Sequence, residues 1–198
     1  MPGFKFTPVL APGSLIVITG VNGFIAAYVA DEALAAGYRV RGTVRSPEKS
    51  KWVQELFDKK YGPGKFELVK VEDIAKEGTF DEAVKGAAGF AHVATDVNVT
   101  AEPSPYIPNT TKSAISALTS AAKEPAMKRF VLVSSSMATG PWQPNVKYTL
   151  KPDSYNDQWR EEAWKGPYDA GNVWKVYSAS KVWKRQTSSP RRLRLISV

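Results

Sequence analysis

Residues 15–36, LIVITGVNGFIAAYVADEALAA, decide the fold of this chain. The first five of these residues are apolar or β-branched and predict a short buried strand. Gly20, Gly23 and Ala26 follow at the spacing G-x-x-G-x-x-A, and a helical pattern then continues to the next glycine. Such a turn lets backbone N–H groups approach a pyrophosphate, and the positive end of the helix favours its charge. The stretch therefore predicts a dinucleotide-binding turn, with an ordinary tight turn as the alternative.

The composition is typical of a globular chain. With 198 residues, 43% of them hydrophobic, the chain is most simply one domain with a substantial core. Cysteine is absent and His92 is the only histidine, so we expect no zinc site and a structural role for that histidine. The N-terminal stretch has no signal-peptide pattern, and no apolar run reaches membrane-spanning length. We therefore expect a soluble, cytoplasmic protein without a membrane partner.

The net charge of +8 invites a nucleic-acid interpretation, but its distribution argues against one. Half of the excess lies in the last fourteen residues, which contain Arg185, Arg191, Arg192 and Arg194 and no acid. Elsewhere the two signs are interleaved, which is typical of a solvated surface. Because no basic and aromatic motif is present, we expect no nucleic-acid partner.

The end of the next predicted strand indicates the cofactor. Residues 38–44 alternate and are rich in valine, and Arg45 follows them, with Lys49 one turn further on. A site for NAD usually has an acidic residue here, which accepts a hydrogen bond from the ribose 2′-hydroxyl. An arginine can instead pair with a 2′-phosphate. NADP is therefore the expected cofactor, and a solvated arginine at a strand end is the alternative.

The rest of the chain alternates strands with helices, which predicts an α/β fold with a Rossmann-like, doubly wound parallel sheet. Further strands are expected at 66–71, 89–94 and 129–133, and helices at 46–61, 79–86 and 109–123. Ligands bind beyond the carboxyl ends of such strands. The residues at those ends are Gly20, Arg45, Asp73, Ala94 and Ser135.

Residues 137–167 lose this periodicity and contain three tryptophans and four prolines. Long segments of this kind in compact domains are often binding loops. We interpret the segment as a substrate-side loop. The alternative is that its tryptophans only pack the loop onto the body of the protein.

Tyr177 and Lys181 are four residues apart, which places a phenol and an ammonium on one face of a predicted helix. A nearby cation favours the phenolate and makes the hydroxyl a usable proton donor near neutral pH. A strand-end serine such as Ser135 can hydrogen-bond the same carbonyl oxygen. These residues together suit polarisation of a carbonyl during hydride transfer from a nicotinamide. A hydrolase is not expected, since the G-x-S-x-G elbow is missing.

Five motifs in this order resemble an extended short-chain dehydrogenase/reductase. They are TGVNGFIA (19–26), RVRGTVRSPEK (39–49), KGAAGFAHVAT (85–95), KRFVLVSSS (128–136) and VYSASK (176–181). The sequence is most similar to the fungal and yeast NADPH-dependent aldehyde and ketone reductases, relatives of dihydroflavonol reductase. The resemblance extends over roughly residues 14–181, nearly all of the chain.

The resemblance implies a role for each matching residue. It makes Tyr177 the acid, Ser135 the carbonyl-polarising residue (with Ser136 one residue away as the alternative) and Lys181 a ligand of the nicotinamide ribose. It implies the 2′-phosphate at Arg45 and Lys49, and the adenine near Asp73 and Ile74. The full set of expected NADPH-binding residues is Thr19, Gly20, Asn22, Gly23, Phe24, Ile25, Arg45, Lys49, Asp73, Ile74, Val93, Ala94, Thr95, Tyr177 and Lys181.

The sequence departs from the family after Y-x-x-x-K. In the family that helix leads into another strand, a cofactor loop and a substrate-binding lobe, whereas here residues 183–198 form an atypical basic tail. We therefore expect one Rossmann domain over residues 1–198, with an N-terminal arm at 1–13 and the substrate lobe largely missing. Such a truncated version of the family would have a more open substrate site and impaired activity.

The expected function is NADPH-dependent reduction of an aldehyde or ketone to an alcohol, with a small carbonyl compound as the partner. A non-catalytic NADP-binding or interaction module is one alternative. An NAD-dependent nucleotide-sugar epimerase or dehydratase is another, and Arg45 argues against it. The sequence leaves the particular carbonyl compound and the oligomeric state open.

Overall fold

The computed structural model describes residues 8–140 and 145–187. The parts of the predicted arm, loop and tail that fall at 1–7, 141–144 and 188–198 lie outside the described residues. In chain order the strands and α-helices are β1 (Leu15–Thr19), α1 (Phe24–Ala35), β2 (Arg39–Val44), α2 (Lys51–Tyr61), β3 (Phe66–Lys70), β4 (Gly89–His92), α3 (Tyr106–Lys123), β5 (Arg129–Leu132), α4 (Asp157–Glu162) and α5 (Asn172–Thr187). A short 3₁₀ turn, Ser136–Ala138, follows β5.

The chain divides into two compact units. The first contains the described residues 8–73 together with 80–94 and 120–131. Of the described residues, the second contains 74–79, 95–119, 132–140 and 145–187. One of the three passages from the first unit to the second lies between Ala94 and Thr95, shortly after β4.

The first unit is built on a five-stranded sheet in the order β3-β2-β1-β4-β5. β1 pairs in parallel with β2, from Leu15 opposite Arg39 to Thr19 opposite Thr43. β1 also pairs in parallel with β4, and β2 with β3. The strand order changes direction at β1, and ligands of doubly wound sheets bind at such a point. The predicted Rossmann-like parallel sheet is confirmed.

One face of this sheet packs against α1 and α2. The buried residues of this cluster are Ile18, Val21, Ala26, Ala30, Leu34, Val40, Val44, Val53, Phe57 and Phe66. Each large apolar side chain buried here contributes about 1.5–3 kcal/mol to stability. On β4 the alternate side chains, Phe90 and His92, point to the opposite face and meet Phe80 edge-on at 5.4 and 5.8 Å between ring centroids.

The prediction of a helix at 79–86 is wrong, because this segment forms successive turns. Arg41 Nη1 donates to the carbonyl oxygens of Ala83 and Lys85 at 2.8 and 2.9 Å. The carbonyl of Ala83 is one that a continuing helix would use. In a helix Ala87 N would donate to Ala83 O, but here it donates to Val84 O at 2.9 Å. A side chain from β2 therefore takes the place of a helical hydrogen bond.

Two further helices begin at other residues than predicted. α2 begins at Lys51, because residues 47–50 form a turn in which Ser46 Oγ accepts from Lys49 N at 3.4 Å. α3 begins at Tyr106 rather than near Asn109. Prolines on its N-terminal side supply the first acceptors: Ile107 N donates to Pro103 O at 2.8 Å, and Asn109 N to Pro105 O at 3.1 Å.

The second unit contains α4, α5 and the 3₁₀ turn. Its buried cluster consists of Tyr106, Ile107, Ala163, Val176 and Ala179. The predicted helix around Tyr177 is confirmed as α5. The stretch 137–167, predicted as a long loop, holds α4 in its described part. Among the described residues no helix is both long and apolar enough to cross a membrane, and no three His, Cys, Asp or Glu side chains are grouped to hold a metal ion.

Two lysines are buried on α5. Lys181 is 3% exposed and Lys184 is 0% exposed. Burial lowers the pKa of Lys181 to about 8. Burial, together with the neighbouring Lys181 charge, lowers the pKa of Lys184 to about 7. An ammonium loses hydration in the interior, so folding shifts both amines toward their neutral forms.

We expect the free energy of unfolding to rise as the pH rises from about 7 to about 10, since the folded-state pKa values of Lys181 and Lys184 lie near 8 and 7 and the unfolded-state value near 10.5. Over this range the unfolded chain binds more protons than the folded chain, so raising the pH favours folding. Lys184→Met removes one of the two titrating amines, so it should flatten the rise of the free energy of unfolding between about pH 7 and 10.

Urea unfolding at several pH values measures this effect. Lys112→Met, at an exposed position on α3, is the control and should leave the pH dependence unchanged. An unaltered pH dependence in Lys184→Met would contradict the expected titration of a buried lysine.

Candidate functional site

The glycine turn lies over the end of β2. Gly20 N and Val21 N both donate to the carbonyl oxygen of Thr43, at 2.9 and 3.3 Å. Gly23 N closes the turn by donating to Gly20 O at 2.8 Å. The next residue, Phe24, begins α1. The sequence therefore folds here as predicted, with a tight turn that leads from a strand into a helix.

Both glycines of the turn are required by its geometry. Gly20 has φ +72°, and a Cβ there would lie 3.2 Å from the Cβ of Ala94. A Cβ at Gly23 would lie 3.2 Å from the carbonyl oxygen of Gly20. Any side chain would therefore push the turn away from its neighbours.

The first turn of α1 offers its backbone N–H groups to an anion. Gly23, the cap residue, supplies no side-chain hydrogen bond, and the first turn contains no acidic residue. These amides and the positive end of the helix suit a phosphate group. The turn therefore fits the pyrophosphate of a dinucleotide. Asn22, Phe24 and Ile25, which the sequence assigns to the same site, are exposed here.

Val21 anchors this turn, and the sequence analysis did not identify its partner. Val21 is wholly buried, and a Cβ at Gly42 would lie 2.4 Å from Val21 Cγ2. The missing side chain of Gly42 on β2 therefore makes the space that Val21 fills. A glycine inside a valine-rich strand is the signal that could have indicated this close approach.

Thr19 joins the ends of β1 and β4. Its Oγ1 accepts hydrogen bonds from Val93 N at 3.0 Å and Ala94 N at 2.9 Å. His92 Nδ1 lies 3.2 Å from the same oxygen. Since both backbone groups donate to Thr19, its single hydroxyl proton goes to His92, whose Nδ1 is then the acceptor. His92 is thus a buried structural residue that orients one of the predicted cofactor residues.

Arg45 and Lys49 are exposed directly after β2. Within the part of the chain that the structure describes, neither side chain makes a hydrogen bond or an ion pair, so both cations are open to an anionic ligand. Asp73, the last residue of the first segment of the first unit, is also exposed. Ile74 opens the second unit and is half-buried.

In the second unit the structure brings together Tyr177, Lys181 and Thr95. Lys181 Nζ donates to Thr95 Oγ1 at 3.0 Å and lies 5.1 Å from the centroid of the Tyr177 ring. The Tyr177 hydroxyl makes no hydrogen bond with any described residue, which leaves it available to a ligand. Trp174, one turn earlier on α5, meets Tyr177 edge-on at 6.4 Å, and sequence reasoning did not single it out.

Ser135 precedes the 3₁₀ turn and caps it. Its Oγ accepts from Met137 N at 3.3 Å, so its own proton remains available for donation. Of its neighbours, Ser134 Oγ is buried and has no hydrogen-bond partner among the described residues. Ser136 is the first residue of the turn itself. Of the three serines, Ser135 is the one whose hydroxyl oxygen is held by a hydrogen bond from the turn.

Comparison with known proteins identifies the family. Residues 16–181 match the family described as the NAD dependent epimerase/dehydratase family. The NAD-dependent epimerase/dehydratase terH of Aspergillus terreus is 40% identical over 174 residues, which cover 87% of this chain and 51% of that protein. Aldehyde reductase 2 of Sporidiobolus salmonicolor is 41% identical over 176 residues, with coverage of 87% and 51%. The chain thus spans about half the length of the curated relatives it matches.

A solved structure with a similar fold is Gre2 from Candida albicans in complex with NADPH. It has a TM-score of 0.74 over 88% of this chain and 52% of that chain, and at 23% identity it supports the fold alone. The yeast methylglyoxal/isovaleraldehyde reductase Gre2, complexed with NADPH, has a TM-score of 0.70 at 25% identity, with coverage of 88% and 51%. The family match covers far more than half of the chain and agrees with the fold and the glycine turn: the chain belongs to the NAD-dependent epimerase/dehydratase family.

Proposed function

We propose that this protein reduces an aldehyde or ketone to the alcohol with NADPH. The observation that carries the proposal is the group on α5, where the buried Lys181 is held by Thr95 beside the ring of Tyr177. The names of its relatives support the substrate class, since they include an aldehyde reductase and a ketoreductase. The NADPH complex of the yeast methylglyoxal/isovaleraldehyde reductase Gre2, at 25% identity, supports the cofactor.

The residues present fit the proposed cofactor. The glycine turn with Gly20 and Gly23 would hold the pyrophosphate through backbone N–H groups. Arg45 and Lys49 would pair with the 2′-phosphate. Lys181 would bind the nicotinamide ribose. The adenine would lie near Asp73 and Ile74, and the other expected binding residues are Thr19, Asn22, Phe24, Ile25, Val93, Ala94, Thr95 and Tyr177. When bound, NADPH supplies the hydride that the carbonyl carbon accepts.

In the proposed reaction, residues of this chain hydrogen-bond the carbonyl oxygen and protonate it. Ser135 donates a hydrogen bond that polarises the carbonyl. The Tyr177 hydroxyl gives its proton to the oxygen as charge develops there, and it later regains a proton from solvent. The Lys181 ammonium beside the ring favours the transient phenolate. Its pKa, lowered by burial to about 8, keeps it mostly charged at neutral pH.

Arg45→Ala should separate the two candidate cofactors. We expect the wild-type chain to bind NADPH more tightly than NADH, and the substitution to weaken NADPH binding by about 10- to 100-fold because it removes a charge-assisted hydrogen bond. NADH binding should stay unchanged. Quenching of the six tryptophans during titration with each dinucleotide measures both affinities.

Arg39→Ala is the matched control, because this exposed arginine begins β2 and bonds to the carbonyl of Gly13 at 3.2 Å. It should leave both affinities intact. Equal wild-type affinities for the two dinucleotides would contradict the NADP assignment and favour an NAD-dependent epimerase or dehydratase.

Tyr177→Phe should lower kcat by about 100-fold or more, since the proton donor is removed, while the Kd for NADPH changes little. The loss of NADPH absorbance with a panel of aldehydes and ketones measures turnover. Tyr168→Phe removes the hydroxyl of an exposed tyrosine bonded to the carbonyl of Trp164 at 3.1 Å, and it should keep full activity.

Full activity in Tyr177→Phe would remove this residue as the acid. A wild-type chain that binds NADPH tightly and reduces no member of the panel would instead support the non-catalytic module.

A further inference from the structure

Asn156 is a buried amide whose hydrogen-bonding groups all find partners in the second unit. It is 1% exposed. Its Nδ2 donates to Met137 O at 3.2 Å and to Ser178 Oγ at 2.9 Å. Its Oδ1 accepts from Trp159 N at 3.2 Å, and its backbone N donates to Ala138 O at 3.0 Å. One side chain therefore connects the 3₁₀ turn, α5 and the start of α4.

The backbone of Met137 is the point where these contacts meet. Its carbonyl oxygen accepts from Ser178 Oγ at 2.7 Å as well as from Asn156. Its N–H donates to Ser135 Oγ at 3.3 Å. Ser178 is the neighbour of Tyr177 on α5. A continuous chain of hydrogen bonds thus links the Ser135 hydroxyl to the helix that carries Tyr177.

Hydrogen bonds fix direction in a way that apolar contacts do not. Asn156 and Ser178 are both buried, and leaving either polar group unpaired there would be costly. A fully satisfied buried network specifies one arrangement of the elements it joins. The turn at Met137 is therefore held in one orientation on α5, and with it the direction in which Ser135 can donate.

We propose that Asn156, acting with Ser178, is a positioning residue that holds the Ser135 turn on the helix of Tyr177 and Lys181. The inference rests on the proposed reductase function. Asn156 touches none of the reacting groups, and it acts through Met137 and Ser135. Correct placement of a hydrogen-bond donor is worth a large factor in rate, and small displacements lose much of it.

Asn156→Asp tests the proposal. The carboxylate keeps an acceptor for Trp159 N, so the cap of α4 survives, but it places an acceptor against the carbonyl of Met137. We expect kcat to fall about 10- to 100-fold, with the Kd for NADPH within about 2-fold of wild type by the additivity expected of separate sites. Hydrogen–deuterium exchange should become faster over residues 135–139.

Asn172→Asp is the matched control. Asn172 is also buried in the second unit, and its Nδ2 likewise donates to two acceptors, the carbonyls of Ala101 and Ala163 at 2.7 and 3.0 Å. The two variants therefore carry the same chemical change with similar cost to folding, and only Asn156 bonds to the turn. A loss of kcat that is equal in both variants would overturn the proposal, because it would show a general effect of destabilisation.

Ser178→Ala provides a second test in case Asn156→Asp fails to fold. It removes one donor to Met137 O, and we expect lower kcat with unchanged NADPH binding. Its control is Ser113→Ala, a buried helical serine whose Oγ donates to the carbonyl of Thr110 at 2.8 Å. If Ser178→Ala and Ser113→Ala both keep wild-type kcat, the proposal is wrong.

The exchange measurement separates this inference from the proposed function. If the wild-type chain reduces no carbonyl compound, the reductase function fails, and exchange over 135–139 still shows whether Asn156 holds the turn. Faster exchange over residues 135–139 in Asn156→Asp but not in Asn172→Asp supports the role of Asn156 in holding the turn. Equal exchange in the two variants refutes it, whatever the activity.

Discussion

The packing of the first unit depends on Gly42 of β2, a position without space for a side chain. A Cβ at Gly42 would lie 2.4 Å from Val21 Cγ2 and 2.9 Å from Phe66 Cζ, far inside ordinary van der Waals contact. The bare backbone of β2 therefore admits Val21, and Val21 fixes the glycine turn to the sheet. Gly20 likewise has little space for a side chain, because a Cβ there would lie 3.2 Å from the Cβ of Ala94. The glycine turn, which fits a pyrophosphate, thus packs closely against the backbone of Gly42 and against Ala94.

Each unit buries polar groups that belong to the proposed site or lie near its residues in the sequence. Thr19 uses its whole hydrogen-bonding capacity at the ends of β1 and β4. On α5, Lys181 and Lys184 lose hydration, which lowers the pKa of each amine. Apolar residues would pack at such positions with less cost. Buried polar and charged groups of this kind are commonly found at functional sites.

Local patterns predicted most of the fold because they depend on neighbouring residues. The apolar run gave β1 its observed bounds, Leu15–Thr19, and the spacing of Tyr177 and Lys181 placed the amine beside the ring. The failures come from contacts distant in sequence. Arg41 on β2 donates to two carbonyl oxygens of the segment 79–86, which forms turns, and the sequence of those eight residues does not indicate this contact. The roles of Asn156 and Gly42 are likewise visible only once the chain is folded.

Family membership accounts for the sheet and the glycine turn, and the cofactor preference is a separate property. A dinucleotide-binding fold accepts NAD or NADP according to the charge at the end of its second strand. The family takes its name from NAD, whereas Arg45 at that position in this chain is exposed and suits a phosphate. Because the guanidinium lies outside the glycine turn, the two features can change independently. The proposed preference for NADPH therefore rests on the residue after β2 and not on the name of the family.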